Sequence, residues 1–96
     1  MFAHVAIHYP RPGYGDDLLA SMHRVGEAAA GAPGLIQIGA WRDAKANCLV
    51  GIALWESAEA FEAAAGRIFA VVADDPFDLW CERPIESYRL TSTLPN

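Results

Sequence analysis

The sequence has few cysteines, few basic residues and no long apolar run, and each scarcity excludes a class of protein. Its two cysteines are too few for a disulfide framework, and no Cys/His cluster has zinc-site spacing. The seven Lys and Arg are scattered singly, so they form no basic stripe for nucleic acid or a membrane surface. No stretch approaches the ~18 apolar residues of a membrane span, and a signal peptide is not recognisable. We therefore expect a cytoplasmic protein without bound metal, nucleic-acid partner or membrane contact.

Apolar residues, by contrast, are plentiful for so short a chain. They make up 53 % of the 96 residues, and charged residues make up 20 %. One domain over residues 1–96 is expected, and a domain of this size buries only ~60–65 % of the surface of its unfolded chain. Part of the apolar surplus is therefore expected to be buried against a second copy of the chain.

The periodicity of apolar residues predicts four strands and two helices. Period two predicts strands over residues 2–9, 35–41, 48–55 and 85–91. Period 3.6 predicts one helix from Asp16 or Asp17 to about Ala29 and another, capped by Ser57, to about Ala73. Gly66 inside the second helix indicates close packing there. Residues 77–82 are ambiguous, and residues 94–96 are interpreted as a frayed tail or a short arm.

The order strand, helix, strand, strand, helix, strand predicts an α+β fold of the ferredoxin-like βαββαβ type. Right-handed crossovers convert it into a four-stranded antiparallel sheet with both helices on one face. The second and third predicted strands carry apolar or small residues on both faces, which is typical of a sheet covered on both sides. We therefore expect a homodimer that forms through the face without helices.

Three short motifs resemble a known family. They are Arg11-Pro12-Gly13 after the first strand, Ala32-Pro33-Gly34-Leu35 before the second, and the run from Leu54-Trp55-Glu56-Ser57 to Phe61. In these the chain resembles the antibiotic biosynthesis monooxygenase-like family of dimeric α+β barrels. The resemblance implies a ligand cavity between sheet and helices in each subunit. Members of the family include cofactor-free oxygenases, quinol oxygenases and haem-degrading enzymes. The haem-degrading branch uses an Asn on the first strand and a Trp and a His on the second helix, and this sequence has none of them there.

Two histidines are the candidate general bases. His4 and His8 lie four residues apart on the first strand, so their side chains share a face about 13 Å apart. Imidazole titrates near neutral pH, and a base that deprotonates a phenol or enol would start oxygenation without a cofactor. Either histidine can equally be a polar residue at the end of the sheet.

Hydrogen-bond donors would have to hold the resulting anion. The donors preferred for this role are Trp41, Arg42 and Tyr88, and the chain also offers Trp55, Trp80 and Arg89. Trp and Tyr in a small domain are more often core or interface residues. The side chains expected to bind the substrate are Ala6, Met22, Phe61 and Phe69, whose spacing also fits an ordinary core. His23 is expected in solvent, and no nucleophilic role is assigned to Cys48 or Cys81.

Three functions are compatible with these residues. The first is a cofactor-independent monooxygenase that acts on a small aromatic, polyketide or quinol-type substrate. The second is a non-catalytic dimer that binds a small apolar organic ligand. The third is a structural dimer with no pocket, in which the surplus apolar residues are buried at the dimer interface.

Overall fold

The computed structural model describes residues 1–94 of the chain; Pro95 and Asn96, part of the predicted tail, lie outside the described residues. The elements are β1 (Phe2–His8), α1 (Gly15–Ala29), β2 (Leu35–Asp43), β3 (Cys48–Trp55), α2 (Ala58–Ala70), α3 (Phe77–Trp80) and β4 (Glu86–Thr91). Within these residues no helix combines the length and the apolar character that a membrane crossing requires.

The four strands form one antiparallel sheet in the order β2-β3-β1-β4. This is the ferredoxin-like arrangement, so the predicted fold class is confirmed. The ambiguous segment is the short helix α3. The second helix is shorter than predicted, because regular helix gives way to turns after Ala70.

Alternation along the strands divides the sheet into two faces. The inner face carries Phe2, His4, Ala6 and His8 of β1, and Phe2 belongs to the core with Trp55 and Phe61. The outer face carries the intervening residues, which include Val5 and Ile7. Trp55 is fully buried at the end of β3, where it meets the edge of the Phe61 ring at 5.9 Å between centroids.

A β-bulge interrupts β2 near its start. Leu35 is paired with Trp55, but the next pair is Gln37 with Leu54, so Ile36 is an extra residue without a partner. One extra residue reverses which face each later side chain occupies. Ile38 therefore points to the inner face and packs on the core, while Gly39 and Trp41 belong to the outer face.

The second helix begins as the sequence predicts. The Ser57 hydroxyl accepts a hydrogen bond from the backbone N–H of Ala60 at 3.1 Å, which caps the helix. Next to this cap, Gly34 has φ +83°, and a Cβ there would lie 2.6 Å from the Cβ of Ala60. The close approach of backbones is therefore at Gly34. The close packing predicted at Gly66 is wrong, because nothing lies within 4 Å of a Cβ built there.

Two arginines tie α1 to the second half of the chain. Both terminal nitrogens of Arg24 donate to the carboxylate of Asp75, at 3.2 and 2.7 Å. Arg67 of α2 donates to the backbone oxygen of Ala28 at 2.9 Å, near the end of α1. The Arg67 contact joins the two helices side by side, and the Arg24 contact joins α1 to the turns that follow α2.

The outer face of the sheet is apolar and no described residue of the chain covers it. Val5, Ile7, Val50, Ile52 and Leu54 form its half-buried middle. Three large side chains on its outer strands are more exposed: Trp41 at 46 %, Tyr88 at 46 % and Leu90 at 48 %.

Candidate functional site

A cavity of about 510 Å³ lies between the inner face of the sheet and the helices. Such a volume is within the range of small-molecule sites. Its roof is formed by Met22 and Val25 of α1 and by Phe61, Ala65 and Phe69 of α2. The presence of this cavity counts against the third expected function, a structural dimer with no pocket.

The space exists because small residues meet across the sheet. Ser87 of β4, Ala6 of β1, Gly51 of β3 and Ala40 of β2 follow one another in a single cross-strand row on the inner face. None of these side chains is long enough to fill the gap beneath the helices. The roof comes closest at Met22, whose Cε would lie 3.4 Å from a Cβ on Gly51.

His4 stands at one side of this row among aromatic rings. Its imidazole is stacked on Phe61, with centroids 5.0 Å apart and an interplanar angle of 23°. Phe69 meets it at a steeper angle with centroids 5.5 Å apart. Burial, reinforced by repulsion from Arg89, lowers the pKa of His4 below its ordinary value. His4 is therefore neutral at neutral pH and available to accept a proton.

Arg89 is the cross-strand neighbour of His4 and lines the same part of the cavity. Its guanidinium carbon lies 5.2 Å from the centre of the Phe61 ring, within cation–π range. The cavity lining includes no Asp or Glu, although the whole chain has twelve acidic residues against seven basic ones. The fixed charge facing the cavity is thus positive and suits an anionic group.

His8 stands on the opposite side of the small-residue row and is only 8 % exposed. Its ring lies near Phe77 of α3, with centroids 6.4 Å apart. Burial lowers the pKa of His8, and its Nδ1 is enclosed without a hydrogen-bond partner among the described residues. Ser21 of α1, 2 % exposed, lines the cavity as well.

The structure brings together some of the predicted site residues and separates others. His4, His8, Ala6, Met22, Phe61 and Phe69 all line the cavity, as does Arg89. Trp41 and Tyr88 lie on the outer face, paired with Val50 and Val5, so they cannot reach the histidines through the sheet. Arg42 lies at the far end of β2 and lines a separate surface groove with Arg11.

These three placements correct the predicted set of donors. The bulge at Ile36 turns Trp41 away from the cavity, and alternation on β4 gives the inner position to Arg89 and the outer one to Tyr88. The Tyr88 hydroxyl donates to the Glu86 carboxylate at 3.2 Å instead. Arg42 is on the inner side and level with His8 through Leu49, but it lies on the edge strand β2 and does not line the cavity.

Sequence reasoning missed two polar residues of the lining, Ser21 and Ser87. Ser87 could have been found from alternation, because it lies two residues before Arg89 and faces Ala6. Ser21 directly precedes Met22 in α1, and the apolar stripe that contains Met22 gave no indication that this polar neighbour also lines the cavity. His23 is exposed as expected, and Cys48 and Cys81 are buried free thiols.

Neither a metal-binding cluster nor the haem-related residue set is present among the described residues. Within residues 1–94 no group of three or more His, Cys, Asp or Glu side chains is placed to hold a metal ion. The helix α2 contains neither His nor Trp, so the residue set of the haem-degrading branch implied by the resemblance cannot be located.

No family model and no curated protein matches the chain, whereas solved structures match it over nearly its whole length. Rv0793 from Mycobacterium tuberculosis has 18 % identity and a TM-score of 0.84, covering 98 % of this chain and 96 % of the other. A mutant of SnoaB, a cofactor-independent oxygenase from Streptomyces nogalater, has 17 % identity and a TM-score of 0.77, covering 98 % and 94 %.

A third structure, a mutant of MhuD with two manganese protoporphyrin IX molecules bound per active site, has 19 % identity and a TM-score of 0.75. It is matched over 100 % of this chain and 98 % of its own. Identities this low establish the fold and leave the activity open. The chain therefore has the ferredoxin-like α+β fold of antibiotic biosynthesis monooxygenase structures over nearly its entire length.

Proposed function

We propose that the chain is a cofactor-independent monooxygenase that acts on a small aromatic, polyketide or quinol-type substrate in the cavity between sheet and helices. The observation that carries the proposal is the placement of His4, a neutral imidazole stacked on Phe61 and next to Arg89, whose cation forms no salt bridge among the described residues. The structural similarity to SnoaB, a cofactor-independent oxygenase, supports the same reaction class.

His4 and Arg89 would divide the first step between them. The His4 imidazole accepts the proton of a phenol or enol, and the Arg89 guanidinium stabilises the anion that forms. The lowered pKa keeps the imidazole neutral and free to accept a proton, and the positive charge beside it stabilises the substrate anion. Once formed, the anion offsets the repulsion between Arg89 and the protonated histidine. Phe61 and Phe69 offer faces and edges against which a flat ring can pack.

The electrons for oxygen activation come from the substrate anion itself, so the reaction needs no other reductant. One electron passes to dioxygen, and the resulting superoxide and substrate radical combine through a new carbon–oxygen bond. His4 returns its proton to the peroxide, and loss of the remaining proton from the same carbon then breaks the O–O bond. The distal oxygen leaves as hydroxide, takes up that proton as water, and the carbon becomes a carbonyl. In sum a ring CH₂ and O₂ give C=O and H₂O, with four electrons leaving the carbon.

Oxygen uptake with a three-ring anthrone in the presence of EDTA tests this proposal. Wild-type protein should consume oxygen above the rate of autoxidation, and His4→Phe should lower kcat/KM by about 10²–10⁴-fold. His23→Phe is the matched control, because His23 is exposed on α1 outside the cavity. Equal rates for His4→Phe and wild type, or uptake that EDTA abolishes, would contradict the proposal.

A non-catalytic binding protein is the second candidate, and one observation favours it. Among residues 1–94 no carboxylate hydrogen-bonds the His4 ring, so the orienting group that often accompanies a catalytic histidine is missing. Binding of the anthrone under argon, with no oxygen uptake in air, would identify a binder.

We further propose that the working form is a homodimer joined through the outer face of the sheet. Exposed apolar side chains such as Trp41 and Leu90 surround a half-buried apolar middle, which is unusual for a monomer. Sedimentation equilibrium should give a dimer for wild type and a monomer for Trp41→Glu. Leu79→Glu is the control, because Leu79 is equally exposed but lies on α3, away from the sheet. A wild-type monomer would refute this.

A further inference from the structure

The side of the cavity opposite to His4 has its own polar group, which the proposed oxygenation does not use. His8 is nine-tenths buried and lines the cavity, and its ring forms no hydrogen bond among the described residues; Nδ1 is enclosed, which leaves Nε2 as the nitrogen that can meet a ligand. A buried polar atom without a partner costs stability, so its retention in a tight apolar environment needs a reason. Close to it the structure supplies Phe77 as a packing surface.

The backbone fixes the distance between the two histidines. His4 and His8 occupy the same face of one strand four residues apart, which separates their Cα atoms by about 13 Å, and side chains that stand perpendicular to the sheet keep roughly that spacing. Two hydrogen bonds of about 2.8 Å, one at each end, leave about 7–8 Å between the ligand atoms that make them. That is the separation of oxygens on opposite ends of two fused six-membered rings, as in naphthalene-2,6-diol.

The floor between the two histidines suits such a ring system. Ala6 lies midway between them, and Gly51 and Ser87 flank it across the sheet, so no long side chain interrupts the path. Met22 covers the floor from above with a flexible apolar chain. A flat fused ring can therefore lie across Ala6 with one edge at His4 and the other at His8.

We propose that His8 is a specificity-determining residue that hydrogen-bonds an oxygen at the far end of the substrate, so the cavity selects fused aromatic compounds that carry oxygen at both ends. This inference rests on the proposed function for the contact at His4. It adds a second contact and a length to the aromatic substrate already proposed. The role of His8 is to bind and orient; His4 remains the base.

The test measures binding alone. Calorimetry under argon compares naphthalene-2,6-diol with 2-naphthol, which lacks only the second hydroxyl group. Wild-type protein should bind the diol about three- to tenfold more tightly, the gain expected from one added hydrogen bond. In His8→Phe the two ligands should bind equally, and His8→Gln, which retains a hydrogen-bonding group, should restore part of the preference.

His23→Phe is again the matched control and should keep the wild-type preference. Equal affinities in wild type, a preference that persists in His8→Phe, or no binding of either compound would overturn the inference. Because the measurement excludes oxygen, its result is separable from the proposed function. A His8-dependent preference without oxygen uptake would leave this inference standing while the oxygenase proposal fails.

Discussion

Filling the cavity from its floor should stabilise the fold and remove the ligand site at the same time. Ala6 lies in the row of small residues and faces the cavity, so Ala6→Leu adds three carbon atoms to space that no side chain occupies. Burial contributes about 0.8 kcal/mol per CH₂, a ceiling of about 2.4 kcal/mol. Because the cavity is partly open to solvent along Arg89 and Phe69, about 1–2 kcal/mol is the expected gain.

Ala64→Leu is the matched control for this variant. Ala64 is buried in the core cluster of α2 and does not line the cavity, so the same three carbons must displace neighbours that are already packed. Overpacking of this kind costs about 1–3 kcal/mol. The two identical chemical changes should therefore move stability in opposite directions.

Urea unfolding and calorimetric binding read out the two effects. A shift of 1 kcal/mol corresponds to about 4–8 °C in Tm for a domain of this size. Ala6→Leu should unfold at higher urea and bind naphthalene-2,6-diol at least tenfold more weakly, whereas Ala64→Leu should lose stability without that selective loss. If Ala6→Leu destabilises the protein as much as Ala64→Leu does, the space above Ala6 is ordinary packed core and the reasoning is refuted.

Three further predictions concern stability. Lowered pKa values of His4 and His8 mean that, below the ordinary value of 6.5, the unfolded chain binds protons that the folded chain does not. The free energy of unfolding should therefore decrease as the pH is lowered from about 7 to 5. A urea midpoint that stays constant across that range would contradict this prediction. Arg24→Gln breaks the two-pronged contact with Asp75 and should cost about 0.5–1 kcal/mol, less at high salt; a cost independent of salt would count against an ionic contribution. Ser57→Ala should cost about 1 kcal/mol by removing the cap of α2, while Ser57→Asp should retain most of it.

The fold was predictable because its local signals agree with one another. Ser57 before an amphipathic run, Gly34 where the chain needs a positive φ, and alternation on β1 each point to the same βαββαβ order. The ends of elements were less predictable. Nothing in the composition of residues 71–75 distinguishes a helix from the successive turns that the structure shows there.

The cavity was only partly predictable, and the bulge at Ile36 shows why. Regular alternation from Leu35 would place Trp41 on the inner face, beside the histidines. The extra residue reverses that assignment, and no turn residue or glycine at Ile36 announces it. On β1 and β4, where no bulge intervenes, alternation alone suffices to separate His4 and Arg89 from Tyr88.

Each face of the sheet leaves apolar surface that could be buried but is not, in a domain whose small size limits its stability. The inner face leaves space above Ala6 and Gly51 that a more stable domain would fill, and the outer face leaves Trp41 and Leu90 in water. A ligand can fill the space on the inner face, and a second copy of the chain can cover the apolar side chains on the outer face. A ligand at a hundred times its Kd adds about 2.7 kcal/mol, and a second copy removes the exposed apolar surface. Because the sheet lies between the ligand and the dimer interface, ligand binding and dimerisation should stabilise the chain independently. In Trp41→Glu, which is expected to lose the dimer, the ligand should therefore still raise the Tm. A ligand effect that disappears with the dimer would mean that the partner completes the cavity.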